Sequence, residues 1–318
     1  IISVFLFIDI TVEKILQSTG NMVTPMLAAL VGQVVNIALD PILIFGLLGA
    51  PKLGVTGAAV ATVIGQACEC VWILIVLFRK DHAVKITIGG KPFNKKILKE
   101  IYVVGAPSMV MQSIASVMQF GMNIILAGFS STAVAVMGVY GRLQSFAFMP
   151  CFGLNQGMMP IIGFNYGARD KERIKKAFKE ALKVSVTIMV CGLIIFQLFP
   201  HQLMALFNAS EKMFEIGVPA LRAISWCFLP ASFGIICGGF FSATGHGFIS
   251  LWGSMLRQLV GILPLAVLFA HIGGLSLVWW AFPAAEIIGF VYSAVMIKRL
   301  YDREIDTLVK PVEENANI

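Results

Sequence analysis

Long apolar runs separated by short polar segments fill the chain. In its first part, residues 1–16 read as the end of one run, and residues 25–45 and 56–78 form two complete ones. An apolar helix of about 20 residues is long enough to cross roughly 30 Å of hydrocarbon. These runs therefore predict membrane-crossing helices, the first of them represented by its end alone.

The same pattern predicts six further crossings in the second part of the chain: residues 107–127, 132–164, 177–199, 218–241, 249–270 and 275–297. The second of these six would be about 50 Å long as a helix, which exceeds the thickness of a bilayer. It also contains Pro150 and Pro160. We therefore expect this helix to bend or to continue into the cytoplasm.

An internal repeat organises these crossings. Residues 16–41 recur in altered form as residues 241–266, and an offset of 225 aligns Gly20 with Gly245 and Gln33 with Gln258. The chain therefore consists of two related halves, and the offset predicts that the first half begins about 125 residues before Ile1. Six crossings separate the two copies, so both should point the same way through the membrane, as parallel repeats.

Basic residues mark the boundary between the halves. Seven lysines and arginines lie in residues 79–99, which predicts a cytoplasmic linker under the positive-inside rule. Residues 1–78 would then be the C-terminal part of the first lobe, residues 100–299 the second lobe, and residues 300–318 a cytoplasmic tail. The small residues Gly57, Ala61 and Gly65, spaced four apart, predict close helix packing in the first lobe.

Composition supports a polytopic membrane protein. Of the 318 residues, 58% are hydrophobic and 13% charged, and the mean hydropathy is +0.86. Soluble domains contain about 25% charged residues. The net charge of +7 is explained by the basic loops, so we expect no nucleic-acid partner. The six cysteines show neither a pairing pattern nor zinc-ligand spacing, and we interpret them as packing residues.

Ionisable residues inside apolar runs are costly and therefore indicate function. Asp40 lies deep in the run 25–45, one helical turn after Asn36, and the two could hold a hard cation or a proton. The alternative is that Asp40, just before Pro41, is only a polar group near a helix end. With one gap in the repeat, Thr62 aligns with Glu286.

Further polar residues are candidates for the lining of a substrate cavity. Glu286 and Arg142 lie at matched depth, which predicts an ion pair between them, whether its role is functional or structural. Glu69, nearer the cytoplasmic end, could simply extend its carboxylate towards the interface. Amides within the apolar runs could line a cavity or join helices; the candidates are Gln119, Asn123, Asn155 and Gln258, with Gln112 and Gln156 beside them.

Several stretches of the chain together carry a family resemblance: GVYGRLQSFAFMPCFGLNQGMMPIIGFNYGARDKERIKKAFKEAL, LQSTGN, NIALDPILIFG, GVTGAAVAT and LRQLV with WWAFPAAE. They resemble the multidrug and toxic compound extrusion family, in particular its bacterial DinF-like branch. The resemblance implies an all-α integral membrane protein with six helices in each of two lobes. This chain would supply eight complete helices and part of another, lacking the first three, and we expect it not to transport by itself.

The resemblance also implies a function. Family members export organic, often cationic, compounds across the membrane in exchange for Na⁺ or H⁺, by alternating access of the two lobes. For this chain we accordingly expect the lipid bilayer and small organic cations as partners, and no cofactor beyond the coupling ion. We also expect a monomer in the plasma membrane of a bacterium.

The family's motifs fall on particular residues of the first lobe. Asn36 and Asp40 match the asparagine and aspartate that join a first-helix aspartate in the cation or proton site, and Na⁺ at these two residues is the only metal we expect. Thr62 matches a threonine of the same site, although its hydroxyl could equally bond back to its own helix, and Thr56 is a rival for the role. Residues 107–127 have no acidic residue, unlike a branch with a second-lobe cation site.

Other classes of function fit less well. An enzyme would need a nucleophile with a base, or a metal cluster, and the chain contains neither GxSxG nor HExxH. A passive channel does not need the two-lobe repeat. A flippase for a lipid-linked precursor, from the same superfamily, is the alternative; its cavity should carry several cations, whereas Arg142 is the only basic residue well inside an apolar run.

Overall fold

The computed structural model of this protein describes residues 3–79 and 94–308. Within these ranges the chain forms helices joined by short turns, with no strand. It divides into two units, Ile1–Pro92 and Phe93–Ile318. Most of the predicted linker and the last ten residues of the predicted tail lie outside the described residues.

Three helices form the first unit: α1 (Ser3–Ser18), α2 (Val23–Phe45) and α3 (Val55–Arg79). A 3₁₀ turn, Leu47–Gly49, follows α2. These three helices coincide with the apolar runs read from the sequence. In lipid, an apolar segment must hydrogen-bond its own backbone N–H and C=O groups, and a helix does so.

The second unit begins with α4 (Lys95–Ala127), α5 (Ser131–Gly167) and α6 (Lys171–Leu198). The side chains of Ser130 and Asp170 cap the N-termini of α5 and α6, each accepting a hydrogen bond from a backbone N–H. With 37 residues, α5 is the long helix that the sequence predicts, and both of its prolines lie inside it.

Shorter helices complete the second unit: α7 (Pro200–Ala205), α8 (Glu211–Ser225), α9 (Phe228–Ala243), α10 (Gly247–Met255), α11 (Leu263–Val278) and α12 (Ala281–Leu300). Helices α8 and α9 meet at a bend of 51°, so the predicted crossing 218–241 is not one straight helix. Wider π-helical turns occur at Leu256–Ile262 and Tyr301–Ile305.

The structure has the apolar helices of a multi-pass membrane protein. Among the described residues, six helices are long and apolar enough to cross a membrane, or seven if the bent pair α8 and α9 counts as one span. The fold is therefore all-α and integral to the membrane.

Three predicted boundaries shift. The outer turn expected at residues 271–274 is reduced to a kink at Gly274, whose φ of 62° is accessible to glycine, and helical residues resume and continue to Val278. Helix α4 begins at Lys95, inside the predicted linker. Tyr301–Ile305, placed in the tail by the sequence, is helical, and its Glu304 accepts a hydrogen bond from Tyr166 at 3.0 Å.

Small residues bring α2 and α3 together, as predicted. A Cβ added to Gly57 would collide with the carbonyl oxygen of Leu43, and one added to Gly65 would lie 2.7 Å from that of Gly32. Ala61, between the two glycines, is fully buried. The backbones thus approach too closely for any side chain larger than hydrogen at Gly57 and Gly65.

The two copies of the repeat form the same turn. Gly20 and Gly245 have φ values of 85° and 84°. The N–H of Gly20 donates to the carbonyl of Gln17, and that of Gly245 donates to Ser242, which is the equivalent residue under the offset of 225. The repeat found in the sequence is therefore also a repeat of backbone conformation.

Candidate functional site

The first unit brings together two of the three predicted coupling residues by direct contact. The side-chain amide of Asn36 donates to the hydroxyl of Thr62 at 3.4 Å, and this hydroxyl donates to the carbonyl of Ala58 at 2.9 Å. Thr62 therefore bonds both to its own helix, as the structural interpretation predicts, and to Asn36; its role in an ion site stays a prediction. Thr56 donates instead to the carbonyl of Leu53, outside this pair.

Asp40 follows Asn36 by one helical turn on α2. Its Oδ1 atom is buried and has no hydrogen-bond partner among the described residues. Pro41 comes next and has no N–H, so the carbonyl of Ile37 loses its helical partner close to Asp40. A buried oxygen without a partner is costly, and a hydrogen-bond donor or a cation beside it would remove that cost.

Sequence reasoning missed one buried carboxylate and expected another, Glu69, to extend towards the interface. Asp9 of α1 is only 8% exposed, and its Oδ1 atom has no hydrogen-bond partner in the described chain. Glu69 lies on α3, which packs against α1. Glu69 packs against Gly32 of α2 rather than extending freely to the interface. The signal for Asp9 was present in the sequence, as a lone acidic residue inside the run FLFIDITV.

The second unit contains a cavity of about 770 Å³. Predicted residues that line it are Gln119, Asn155, Gln258 and Glu286, together with Gln112 and Gln156. Methionine and aromatic side chains share the lining with these amides; they include Met111, Met118, Met137, Tyr140, Phe148 and Phe282. The cavity is therefore amphipathic, with hydrogen-bonding groups set among apolar ones.

The ion pair predicted for this region forms with a different arginine. Glu286 is paired with Arg257, whose Nη1 atom lies 3.3 Å from Oε1 and 3.4 Å from Oε2. Arg142 is exposed, does not line the cavity and makes no ion pair with Glu286. The prediction was wrong because depth along a helix does not specify which face a residue occupies. Asn123 likewise lies outside the cavity lining.

A π-helical turn positions Arg257 and Gln258. In a π-helical turn the backbone bonds run from i to i+5, and such turns are frequent at functional sites. Leu256–Ile262 carries both residues on the wall of the cavity, and Gln258 is buried there. On the opposite helix, Asn155 reaches the backbone at Gly239, where a Cβ would collide with its side-chain oxygen. A larger residue at position 239 would therefore force the side chain of Asn155 to move.

The profile of the MatE family matches residues 107–268. This match covers half of the chain and includes most of the elements that line the cavity. The chain belongs to the MatE family.

Named relatives and solved structures agree with this assignment. The chain is 30% identical to the multidrug export protein MepA of Staphylococcus saprophyticus over 302 residues, which is 94% of this chain and 65% of the relative. It is 27% identical to MepA of Staphylococcus aureus strain MRSA252 over 95% of this chain and 66% of that protein. This MatE chain therefore spans about two thirds of the length of its curated relatives.

Two solved structures show the same fold. One is the MATE multidrug transporter DinF-BH, solved as a complex, with a TM-score of 0.82, 32% identity, and coverage of 95% of this chain and 67% of that one. The other is an outward-facing MATE family transporter, with a TM-score of 0.79, 29% identity, and coverage of 89% and 64%. These proteins are described as exporters and transporters rather than enzymes, in agreement with the sequence analysis.

Proposed function

We propose that the full-length protein exports small organic compounds across a bacterial plasma membrane. The cavity of the second unit is the observation that carries this proposal. Its volume of about 770 Å³ falls in the range of sites for drug-sized ligands. Methionine and aromatic side chains can adapt to ligands of different shape, and amides supply hydrogen bonds of either direction. The names of the MepA relatives point to the same substrates.

The charge of the cavity favours an exporter over a flippase for a lipid-linked precursor. Arg257 is the only lysine or arginine among the described residues that line it, and Glu286 already neutralises that charge. A pyrophosphate substrate would need several free cations. An organic cation would instead meet aromatic faces, with which it interacts favourably.

Export against a gradient needs an ion whose binding changes between conformations. A ligand shifts an equilibrium only through its different affinities for the two states. Asp40 can provide this difference, because its unpartnered buried oxygen favours closed packing only when a proton or Na⁺ neutralises the carboxylate. Asn36 and Thr62, joined to each other, hold the neighbouring polar groups in place. Coupling to H⁺ or Na⁺ through Asp40 is therefore part of the proposal, as is alternating access.

Asp40→Asn tests the proposal, because asparagine keeps the shape of the side chain but cannot titrate. In vesicles containing the full-length protein, we expect this variant to lose efflux of a fluorescent organic cation driven by an imposed gradient, while binding of that cation is kept. Proton and sodium gradients are imposed separately to identify the ion.

Asp302→Asn is the matched control, since Asp302 is exposed, and it should transport like the wild type. Normal coupling in Asp40→Asn would reduce Asp40 to a polar group near a helix end. Efflux absent from the wild type under both gradients would contradict the proposed export itself.

A further inference from the structure

The segment after α12 bonds to two other parts of the second unit through one carboxylate. Glu304 lies in the π-helical turn Tyr301–Ile305 that follows α12. Its Oε2 atom accepts a hydrogen bond from the hydroxyl of Tyr166, on α5, at 3.0 Å, and its Oε1 atom lies 3.1 Å from Nε2 of His246. A carboxylate only accepts hydrogen bonds, so Nε2 of His246 carries a proton and donates to Glu304. Each oxygen of Glu304 therefore has a partner on a different segment of the chain.

His246 occupies a position at which the two copies of the repeat differ. The offset of 225 aligns it with Asn21. Asn21 bonds within its own turn, because its Oδ1 atom accepts from the backbone N–H of Thr24 and its amide donates to the hydroxyl of Thr24. Within the described residues, the side chain of His246 makes no capping bond to the start of α10 and bonds to Glu304 instead. The second copy thus has a long-range contact where the first copy has a local one.

Two further contacts hold the π-helical turn against α9 and α6. The ring of Tyr301 stacks on that of Phe240, with ring centroids 5.6 Å apart and an interplanar angle of 15°. Asp306, directly after the turn, forms an ion pair with Lys175 of α6. A partly exposed ion pair between free side chains contributes little, whereas one within a network of fixed groups contributes more. Glu304 belongs to the second kind, because the turn that carries it is itself held in place.

The three segments joined by this carboxylate each continue into a wall of the cavity. Tyr166 follows the cavity residue Met159 by seven positions, or about 11 Å along α5. His246 precedes Ile249, a cavity residue of α10, by three positions. Helix α12 contributes Tyr292 to the lining, and its hydroxyl donates to the carbonyl of Ile249 at 3.1 Å. The walls formed by α10 and α12 are therefore bonded to each other at two levels.

We propose that Glu304 is a positioning residue for the cavity of the second unit. By joining the end of α5 and the start of α10 to the segment after α12, it fixes the spacing of three walls of that cavity. A substrate then meets walls that are already in place, and such preorganisation increases affinity. The effect on substrate binding rests on the proposed function; the joining of the three segments does not.

Hydrogen–deuterium exchange of the purified full-length protein tests the joining of the segments. Glu304→Ala removes both bonds at once. We expect backbone exchange to rise about three- to tenfold at the end of α5 and at the start of α10, since a hydrogen bond to a charged group stabilises what it joins and partial exposure reduces its strength. Tyr166→Phe should raise exchange at the end of α5 alone, and His246→Asn at the start of α10 alone. Adding Tyr166→Phe to Glu304→Ala should cause no further rise.

Asp306→Ala is the matched control. It removes a carboxylate next to the same turn and breaks the pair with Lys175 of α6, a helix with no described residue in the lining of the cavity. Exchange at the end of α5 and the start of α10 should stay as in the wild type. If Glu304→Ala does not fold, His246→Asn and Tyr166→Phe still decide, because asparagine already forms this turn in the first copy and phenylalanine keeps the aromatic ring.

Binding of a fluorescent organic cation to the same purified proteins tests the consequence for substrate. Affinity should fall about three- to tenfold in Glu304→Ala and in His246→Asn, by the same loss of a hydrogen bond, and should stay unchanged in Asp306→Ala. Thermal unfolding is measured in parallel. Affinity that falls in proportion to the unfolding temperature in every variant, the control included, would mean a general loss of stability and would overturn the positioning role.

The two measurements also separate this inference from the proposed function. Unchanged exchange in Glu304→Ala, or an equal rise in Asp306→Ala, would overturn the joining of the three segments. If the wild type exports organic cations and Glu304→Ala raises exchange without lowering affinity, the positioning role fails and the proposed function stands. If the wild type neither binds nor exports an organic cation while exchange follows the expected pattern, the proposed function fails and the joining of the three segments stands.

Discussion

The two units differ in whether their buried carboxylate oxygens have a partner. In the first unit, Asp9 and Asp40 each have a buried oxygen without a partner in the described chain. In the second unit, Glu286 is held by Arg257 in a fixed ion pair. A carboxylate without a cation can change its charge by binding an ion, whereas a paired one keeps its charge and neutralises its neighbour. This difference supports the proposal that the first unit binds the coupling ion and that the second unit supplies a neutral binding wall.

This difference arises on the same scaffold. In the first unit Gly65 packs on Gly32, and in the second Gly289 packs on Arg257. The repeat aligns Gly32 with Arg257 at the offset of 225, and Gly65 with Gly289 at 224. A glycine in one copy thus permits close approach of two backbones and leaves room for Glu69. An arginine in the other copy fills the same position and supplies the partner of Glu286.

Removing the arginine should produce the largest effect. Arg257→Met leaves Glu286 buried without a partner, and the loss of one member of a buried pair costs about 3–5 kcal/mol. We therefore expect a marked fall in the thermal unfolding temperature of the purified protein. The double variant Arg257→Met with Glu286→Gln should recover most of this loss, because no uncompensated charge remains.

Arg142→Met is the control for this prediction. Arg142 is exposed and is not paired with Glu286, so its loss should change stability little. If Arg257→Met and Arg142→Met destabilised the protein equally, the ion pair of Arg257 with Glu286 would not account for the difference between the two units.

The contrast between these arginines shows what the sequence could and could not predict. Apolar runs of sufficient length predicted the helices, since lipid leaves the backbone few alternatives. Turn glycines predicted the repeat, because positive φ restricts the residue type. Which arginine pairs with Glu286 depends on rotation about helix axes and on the π-helical turn at Leu256–Ile262. Neither property has a clear signature in hydrophobicity.

The candidate ion sites show the same limit. Asn36, Asp40 and Thr62 were predicted because a motif carries them, and the structure joins Asn36 to Thr62. Asp9 has no such motif, and its significance appears only when α1 packs against α3 and buries it. Burial of one helix against another is a tertiary property. A single ionisable residue in an apolar run should therefore be considered even without a motif.

Alanine at the aligned glycines Gly65 and Gly289 should have smaller and unequal effects on stability. A Cβ at Gly65 would lie 2.7 Å from a backbone oxygen of Gly32 and 3.1 Å from Cβ of Asn36, so α2 and α3 must separate. We expect Gly65→Ala to destabilise the protein by about 1–3 kcal/mol. A Cβ at Gly289 meets the flexible side chain of Arg257 at 3.3 Å, so Gly289→Ala should be close to neutral, helped by its higher helix propensity.

Thermal unfolding of the two glycine variants checks this difference. Gly65→Ala should also weaken ion-driven efflux, because it displaces Asn36 from Thr62. A result in which Gly289→Ala is the more destabilising variant would contradict the close backbone approach that we assign to the first unit.

The smallest expected loss of stability concerns the glycine turn that both units share. Gly20 and Gly245 have positive φ angles, and an added Cβ would meet no atom within 4 Å at either residue. Alanine there should cost about 1 kcal/mol through backbone strain alone, and by the same amount in both copies. Asparagine, which tolerates this conformation better, should cost less. Gly138→Ala is the control, since Gly138 lies in the helix α5 with equally open space and should lose no stability. If alanine at Gly20 and at Gly245 lowered the thermal unfolding temperature by different amounts, the two turns would contribute differently to stability. The two units would then differ in their backbone scaffold as well as in their charges.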